Sequence, residues 1–353
     1  MSLQNLRRRI DGIDKKIVSL LDARTNISLN IGRIKAKEGT SVYSSDRERQ
    51  VLDRVKQVNK GPISNCALEA IYREIMSASL AAEKSLKVAY LGPEATFANL
   101  AAIKRFGSQV EYMPCDSISD VFLSVERESA DYGVVPIENS IEGAVSYTMD
   151  LLAETDLKIC AQVILNISHN LLANCPKNKI KKVYSNPMVF GQCKMWLQQN
   201  LPGVEMIEVS STTRAAQIAA KDKFSAAIAS LLAARVYKIK IIAKDIEDSP
   251  HNVTRFLVIA KYDVGPTGRD KTSIIFSIKD KVGALHAMLV PFKKNRINLT
   301  KIESRPSKRK AWDYYFFVDL EGHRQDSKVK KALGELEAQC RFIKILGSYP
   351  LGE

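Results

Sequence analysis

Apolar residues at the start of the chain recur in steps of three and four, the spacing of one face of a long helix. The run comprises Leu3, Leu6, Ile10, Ile13, Ile17, Leu20, Ile27, Ile31 and Ile34. Arg24 occupies a seam position within this run, and Gly39 is expected to end the helix. Ser45 and Glu48 have the spacing of a capping box, which predicts a second helix, and a third is expected after Pro62. Residues 1–85 are therefore predicted to be all-helical.

From Lys87 the pattern changes to short apolar runs that alternate with segments of helical period. The runs include KVAYLG, DYGVVPI, KKVYSN, SAAIAS and TRFLVIA. Alternating strands and helices indicate an α/β domain, and we expect its sheet to be mostly parallel. Its extent, residues 87–263, would accommodate two small lobes.

A stretch rich in glycine and proline, VGPTGRDK, separates this segment from a shorter series of elements. The series is strand TSIIFSI, a helix from Gly283, strands INLTKIES and DYYFFVDL, a helix from Ser327 and strand RFIKILGS. This β-α-β-β-α-β order is that of a ferredoxin-like fold. The sequence therefore predicts a multidomain protein with domains at residues 1–86, 87–263 and 272–353.

Charge and cysteine content narrow the class of protein. The net charge of +14 suits nucleic acid, an acidic surface or anionic small molecules, and a solvated basic surface is the simplest interpretation. No helix-turn-helix pattern or aromatic-basic interleaving favours nucleic acid. There is no signal-peptide core and no apolar run that could span a bilayer, so we expect a cytoplasmic protein with no membrane partner. The six cysteines and four histidines are scattered, so we expect no disulfide, no metal and no cofactor.

Arg24 needs an anionic partner, because an unpaired charge in an apolar seam is costly. Lys35 lies eleven residues further on, on nearly the same helix face and about 16 Å along the axis, so a dianion could bind between them. Arg7 is about 25 Å from Arg24 along the helix, too far to share one small ligand unless it comes from a second subunit. The alternative is a coiled coil in which Arg24 sets the register.

The ordered motifs LRRRIDGID, LLDAR, IGRIKAK, SDRER and REIMSAS resemble the all-helical chorismate mutases over residues 1–85. The resemblance implies the catalytic set Arg7, Arg24, Lys35, Arg47, Glu48, Ser79 and Glu83. It also implies an interlocked homodimer in which Arg7 crosses to the partner's site. Chorismate rearranges to prephenate without a nucleophile, so arginines would hold its carboxylates while Lys35 and Glu83 face the ether oxygen. Only protonated Glu83 could donate a hydrogen bond to that oxygen.

Polar clusters adjoin strands of the α/β segment at residues 138–140, 210–213 and 252–255. Ligands bind at strand ends in open α/β sheets, although turns and helix caps use the same residue types. The motifs GPEATF, DYGVVPIENSIEG, VYSNP, SSTTRAA and NVTRF are similar to prephenate dehydratase over residues 87–262. That family resembles periplasmic binding proteins in having two lobes, with its site between them.

The dehydratase resemblance implies that prephenate loses carbon dioxide and hydroxide to give phenylpyruvate, which chiefly requires a proton donor for the departing hydroxyl. Thr254 is the implied donor. The implied substrate-binding residues are Glu138, Asn139, Ser140, Ser211 and Thr212, with Arg255 holding a carboxylate. Gln192 and Cys193 match positions near the site, and Cys193 is interpreted as a small buried hydrophobe.

A helix is predicted to begin at Gly283. The free backbone N–H groups at its start can bind a carboxylate, or they can simply be capped within the protein. The motif GALH followed by ESRP resembles the ACT domain over residues 272–350. The resemblance implies feedback inhibition by phenylalanine bound at a dimer interface. The implied binding residues are Gly283, Ala284, Leu285, His286, Glu303, Ser304, Arg305 and Pro306.

The whole chain resembles bifunctional chorismate mutase/prephenate dehydratase, an enzyme of phenylalanine biosynthesis. This predicts chorismate and prephenate as substrates, phenylalanine as inhibitor, and a homodimer or higher oligomer. One alternative is a ligand-responsive binding protein without catalysis, which leaves Arg24, Lys35 and Thr254 without a purpose. A second is a basic nucleic-acid-binding regulator. Phenylpyruvate formed from added chorismate would distinguish the enzyme from both.

Overall fold

The structure is a computed structural model of the 353-residue chain. It describes residues 2–38, 45–83, 85–278, 282–306 and 314–351, except for the side chains of residues 36, 38 and 45. The chain forms two compact units, Met1–Lys87 with Phe106–Glu111 and Val88–Arg105 with Tyr112–Glu353. Among the described residues, no helix is long and apolar enough to cross a membrane.

The first unit contains three helices, α1 (Leu3–Glu38), α2 (Ser45–Val58) and α3 (Asn65–Glu83). The all-helical prediction is confirmed, while Gly39 and the side chain of Ser45 lie outside the described residues. Helix α3 packs against both α1 and α2, and Lys56 of α2 forms an ion pair with Glu69 of α3. Buried positions in this unit include the polar residues Glu48, Ser77 and Ser79. A small helical unit that buries polar groups must supply partners for them, which indicates a polar site among the helices.

The second unit begins with a lobe built on a six-stranded sheet. Its strands are β1 (Lys87–Leu91), β2 (Glu111–Cys115), β3 (Tyr132–Asn139), β4 (Gly143–Ala144), β5 (Lys158–Asn166) and β11 (Val253–Ala260). The strand order is β2-β1-β3-β11-β5, with β4 beside β3. Its helices are α4 (Phe97–Phe106), α5 (Ile118–Glu126) and α6 (Ser146–Glu154).

A second lobe is built on a five-stranded sheet in the order β10-β6-β9-β7-β8. Its strands are β6 (Asn170–Ala173), β7 (Lys182–Ser185), β8 (Glu205–Glu208), β9 (Ser225–Ala229) and β10 (Ile241–Ala243). Its helices are α7 (Pro187–Gln192), α8 (Lys194–Asn200), α9 (Thr212–Ala219) and α10 (Leu231–Val236). Each sheet has its own buried apolar cluster, so the two lobes predicted from length are confirmed.

The prediction of a mostly parallel sheet was wrong. Strand β1 runs parallel to β3, and β7 runs parallel to β8 and β9. However, β11 is antiparallel to both β3 and β5, and β6 is antiparallel to β9 and β10. The chain crosses between the lobes at residues 167–169 and again at 244–252, and the strands next to these crossings supply most of the antiparallel pairs. Hydropathy period reports burial, not strand direction, so the sequence could not show this.

The C-terminal domain has strands β12 (Asp270–Ser277), β13 (Leu299–Pro306), β14 (Tyr314–Glu321) and β15 (Phe342–Pro350), and helices α11 (Ala284–Lys294) and α12 (Ser327–Glu337). The sheet order β13-β14-β12-β15 and the chain order confirm the ferredoxin-like prediction. One face of this sheet packs against α11 and α12. Its other face contributes Ile275, Phe317, Leu346 and Tyr349 to the core of the first lobe. The domain therefore shares a hydrophobic core with the lobe that carries β3 and β11.

Candidate functional sites

A cavity of about 270 Å³ lies among the three helices of the first unit. Six of the predicted residues line it: Arg24, Lys35, Arg47, Glu48, Ser79 and Glu83. Its apolar wall includes Ile27, Ile31 and Leu80. Small-molecule sites have this mixture of apolar wall and a few convergent polar groups. Helices α1, α2 and α3 each contribute charged or polar residues, so the cavity exists only when all three are packed.

Arg24 is held in place by a hydrogen bond within this cavity. Its Nη1 donates to Ser79 Oγ at 2.7 Å, and Ser79 Oγ donates to the Ile75 carbonyl at 2.9 Å. A guanidinium carries five N–H donors in a planar fork, so one bond to Ser79 leaves a pair able to bind a carboxylate. Ser79 therefore aims Arg24 into the cavity.

The environment of Glu83 in this cavity shifts the pKa of its carboxyl group. Burial raises its pKa, and the opposing charges of Lys35 and Arg24 only partly offset that effect. With three cations and two carboxylates lining the cavity, the net charge is +1, rising to +2 when Glu83 is protonated. A doubly negative ligand is therefore bound best when Glu83 carries a proton.

The structure does not bring Arg7 to this cavity. Arg7 is exposed on α1, seventeen residues before Arg24, and does not line the cavity. A rise of 1.5 Å per residue separates the two by about 25 Å along one helix. Within one chain, Arg7 therefore cannot contact a ligand held by Arg24.

In the second unit, Asn139 connects the ends of β3 and β11. Its Nδ2 donates to Thr254 Oγ1 at 2.8 Å and to Asn252 Oδ1 at 2.7 Å. Its Oδ1 accepts from the backbone N–H groups of Ile141 and Glu142 at 2.9 and 3.0 Å. Because the Thr254 oxygen accepts from Asn139, its own O–H points elsewhere and can donate to a ligand.

The Ser140 side chain forms hydrogen bonds to the backbone at these strand ends rather than pointing into an open site. Its Oγ donates to the His251 carbonyl at 2.7 Å and accepts from the Val253 N–H at 2.9 Å. Both bonds connect the turn after β3 to the start of β11. The hydroxyl of Ser140 therefore supports the backbone around Thr254.

Gln192 of the second lobe contacts the Asn139, Asn252 and Thr254 group through Asn252. Its Oε1 accepts from Asn252 Nδ2 at 2.9 Å and lies 2.8 Å from His169 Nε2, and its Nε2 donates to Glu142 Oε1 at 3.2 Å. Burial lowers the pKa of His169. This effect outweighs the hydrogen bond to Gln192 and the charge of Glu247, which both act to raise the pKa, so the ring is neutral. Because Gln192 Oε1 can only accept, His169 donates from Nε2.

A cavity of about 420 Å³ adjoins these residues, with Gln192, Asn252 and Glu142 in its wall. His169 lies on the first crossing between the lobes and Asn252 on the second. Asn252 opens the polar cluster at residues 252–255 that the sequence singled out, and Gln192 was expected near the site. No local pattern distinguishes His169, whose role depends on a contact 23 residues away.

Ser211 and Thr212 lie at the start of α9, where Ser211 Oγ accepts from the Arg214 N–H at 3.0 Å. The parallel strands β7, β8 and β9 end at the capping residues Asn186, Ser211 and Ser230, so these share one edge of the second sheet. Ser230 Oγ donates to the Ala95 carbonyl of the first lobe at 3.1 Å. The edge that carries Ser211 and Thr212 therefore meets the first lobe.

Glu138 and Arg255 form a pair separate from the Thr254 group. Arg255 is 7% exposed, and its Nη1 lies 2.9 Å from Glu138 Oε1 and 2.6 Å from Asp319 Oδ2. Its Nη2 donates to the Tyr349 hydroxyl at 2.9 Å. The structure therefore places Arg255 against the C-terminal domain, a position that does not fit the expected role of holding a substrate carboxylate.

Strand β12, which precedes the GALH motif, and strand β13, which carries the ESRP motif, end at the same edge of the C-terminal sheet. Gly283 is the N-cap of α11 with φ of 77°, a conformation that favours glycine. Ser277, at the end of β12, and Arg305, near the end of β13, both pair with Tyr315 of β14, which places them two strand spacings or about 10 Å apart. Arg305 also forms an ion pair with Asp150 of α6 at 3.1 Å.

Comparison with known proteins matches the chain in three successive parts. The family model of type II chorismate mutase matches residues 6–84, that of prephenate dehydratase matches residues 88–264, and that of the ACT domain matches residues 272–338. A bifunctional chorismate mutase/prephenate dehydratase from Aquifex aeolicus is 51% identical over 99% of this chain and 98% of its own length. One from Pseudomonas aeruginosa is 43% identical over 99% of this chain and 97% of its own length.

Among solved structures, a prephenate dehydratase from Arthrobacter aurescens in complex with L-Phe matches with a TM-score of 0.70 and 32% identity. The match covers 75% of this chain and 90% of that one.

Proposed function

Because this chain belongs to the bifunctional chorismate mutase/prephenate dehydratase family, we propose how its residues perform the two reactions and their regulation. The protein rearranges chorismate to prephenate, decarboxylates and dehydrates prephenate to phenylpyruvate, and is inhibited by phenylalanine. The observation that carries the residue-level proposal is the cavity that gathers Arg24, Lys35, Arg47 and Glu83 from three helices. We place the domain limits at 1–86, 87–263 and 272–353, which the three family matches support.

In the mutase site, Arg24 and Arg47 hold the two carboxylates of chorismate. The ether carbon-oxygen bond stretches in the transition state and negative charge builds on the oxygen. Lys35 and protonated Glu83 donate to that oxygen, and donors held in a water-poor cavity stabilise such charge strongly. Ser79 orients Arg24, and the buried Glu48 carboxylate accepts a hydrogen bond from the substrate hydroxyl. No side chain forms a covalent bond to the substrate.

In the dehydratase site, Thr254 donates a proton to the departing hydroxyl, which leaves as water, and solvent water returns a proton to the threonine oxygen. The electrons of the bond to the lost carboxylate flow into the ring, which becomes aromatic as carbon dioxide departs. Asn139 orients the Thr254 hydroxyl, and Asn252 with Gln192 holds Asn139. Ser211 and Thr212, at the N-terminus of α9, bind a carboxylate of prephenate. Ser140 supports the backbone beside Thr254, and Glu138 and Arg255 act through their strands.

The mutase works as a homodimer in which α1 pairs with the partner. Apolar residues of the α1 seam are exposed in the single chain, including Leu3 at 65%, Ile10 at 56% and Leu20 at 69%. An apolar row of this length on a 36-residue helix is stabilised by burial against a second copy. Such pairing brings Arg7 of one chain to the cavity of the other, which the distance along α1 requires. Association of dimers into a larger oligomer through the C-terminal domain is compatible with this arrangement.

Phenylalanine binds where the GALH and ESRP motifs meet one edge of the C-terminal sheet. Its carboxylate is held by the N–H groups following Gly283, and the remaining contacts come from Leu285, His286 and the end of β13. The enzyme acts in the cytoplasm, a placement supported by six free cysteines, which are typical of a reducing compartment.

The decisive experiment adds chorismate to the purified protein and follows phenylpyruvate and prephenate over time. Phenylpyruvate must form without any added enzyme, and phenylalanine must slow its formation. Accumulation of prephenate alone would contradict the dehydratase proposal, and failure to consume chorismate would contradict the mutase proposal.

A further inference from the structure

Strands β3 and β11 present two adjacent residue pairs on opposite faces of their sheet. Thr254 pairs in register with Asn139, and Arg255 pairs with Glu138. Successive strand residues point to opposite faces. Thr254 and Asn139 therefore lie on one side of the sheet, and the ion pair of Arg255 and Glu138 lies on the other. Each member of one pair is covalently next to a member of the other. Any shift of Glu138 or Arg255 is therefore transmitted to Asn139 or Thr254 within a single peptide unit.

Three side chains of the C-terminal domain hold this ion pair. Asp319 forms an ion pair with Arg255 at 2.6 Å, Tyr349 accepts from Arg255 at 2.9 Å, and Lys301 donates to Glu138 Oε2. These three residues come from β14, β15 and β13, three of the four strands of that sheet.

Most of the cluster is buried, and it includes a third cation, the buried Lys271, whose charge acts on Arg255, Asp319 and Glu138. Arg255, Asp319 and Tyr349 are 7%, 6% and 0% exposed. Ser273 completes the ring, since it lies 2.6 Å from the Tyr349 hydroxyl and donates to Asp319 at 2.5 Å. Burial would raise the pKa of Glu138, but the hydrogen bond and charge of Lys301, with Arg255, hold that pKa below its ordinary value. Glu138 is therefore ionised, and its ion pairs with Lys301 and Arg255 connect the C-terminal sheet to the sheet of the first lobe.

Strand β13 connects this cluster to the phenylalanine motif. Residues 301, 303 and 305 alternate with exposed positions and are half-buried. Lys301 contacts Glu138 of β3, and Arg305 contacts Asp150 of α6. The face of β13 that carries Glu303 and Arg305 of the ESRP motif is thus the face that packs against the first lobe. Arg305 lies about 13 Å along the strand from Lys301.

We propose that Lys301 and Asp319 are positioning residues of the dehydratase site, through which movement of β13 on phenylalanine binding displaces Thr254 and Asn139. A ligand at the end of β13 shifts the strand. Lys301 then pulls its ion-pair partner Glu138, and Arg255 moves with Glu138. This inference rests on the proposed role of Thr254 and on phenylalanine binding at the ESRP motif. It makes the ion-pair cluster the mechanical connection between inhibitor and catalytic hydroxyl.

The test compares Lys301→Met, Lys301→Arg and the control Arg324→Met in the full-length chain. Arg324 also connects the C-terminal domain to the preceding segment, through an ion pair with Asp263 at 2.7 Å, and this partner lies outside β3 and β11. The measurements are the phenylalanine concentration that halves dehydratase turnover, the KM for prephenate and phenylalanine binding by calorimetry.

We expect Lys301→Met to raise the half-inhibiting concentration about tenfold, because coupling free energies between sites are usually of this size. Phenylalanine must still bind, KM must stay within about twofold, and Lys301→Arg must recover inhibition, since it restores the charge on β13. Asp319→Asn is expected to behave like Lys301→Met.

Unchanged inhibition in Lys301→Met, an equal change in Arg324→Met, or loss of phenylalanine binding in Lys301→Met would overturn the proposal. If Asp319→Asn does not fold, the half-buried Lys301 variants decide alone. Failure of the proposed function is distinguishable, because Thr254→Val would then retain dehydratase turnover.

Discussion

Gly32 of α1 lies directly against the side chain of Glu83 on α3. A methyl group added at Gly32 would stand 2.9 Å from Glu83 Oε2 and 3.1 Å from its Cγ. Glycine inside a helix costs about 1 kcal/mol relative to alanine, so α1 sacrifices local stability at this position. The absence of a side chain allows the Glu83 carboxylate to lie close to α1, beside Lys35 and Arg24.

Gly32→Ala should therefore displace Glu83 and lower mutase kcat/KM about tenfold, while dehydratase turnover is unchanged. Thermal unfolding should shift little or upward, because helix propensity improves as packing worsens. Gly12→Ala is the matched control, since it lies on the same helix with nothing near its added methyl. Full mutase activity in Gly32→Ala would show that the close approach is irrelevant to catalysis.

The pH profile of the mutase should follow the ionisation of Glu83. Its pKa is raised by burial, so the protonated form persists above the usual range of a glutamate. Mutase kcat should be highest at low pH and fall as pH rises through this raised pKa, because the donor to the ether oxygen is lost. Glu83→Gln should flatten the profile, since the amide donates at every pH. An unchanged profile in that variant would remove Glu83 from the mechanism.

Thr254→Val should reduce dehydratase turnover by about 10²-fold or more, because the proton donor is lost and Asn139 loses its acceptor. Mutase activity in the same chain should be unaffected, and prephenate should accumulate from chorismate. Thr254→Ser is the control, since it retains the hydroxyl and should keep most of the turnover. Equal loss of both activities in Thr254→Val would indicate misfolding instead.

Mixing two inactive variants tests the origin of Arg7. Arg7→Ala and Arg24→Ala should each abolish most mutase activity. If each site takes these arginines from different chains, a heterodimer contains one intact site. An equal, re-equilibrated mixture should then regain about a quarter of the sites, because half of the dimers are mixed and half of their sites are intact. Arg7→Ala mixed with itself is the control, and no recovery in the heterologous mixture would place Arg7 elsewhere.

Local sequence pattern was sufficient to predict most elements and the residues that share a face of a single element. The spacing of Arg24 and Lys35 on one helix put both on one face, and both line the same cavity. The helix start at Gly283 and the order of the last six elements also followed from local pattern. Helix period and turn chemistry act between residues a few positions apart, which is why they can be recognised without coordinates.

Which residues lie opposite one another became apparent only in the folded chain. The dehydratase resemblance implied that Arg255 holds a substrate carboxylate, but its side chain lies on the face opposite Thr254, and its partner there, Asp319, comes 64 positions later in the chain. Gly32 is an unremarkable helical glycine until Glu83 packs on it, and strand direction depends on where the chain crosses between lobes. Amphipathic period specifies that a face is buried and contains no information about what covers it, since that choice is made by packing between distant segments.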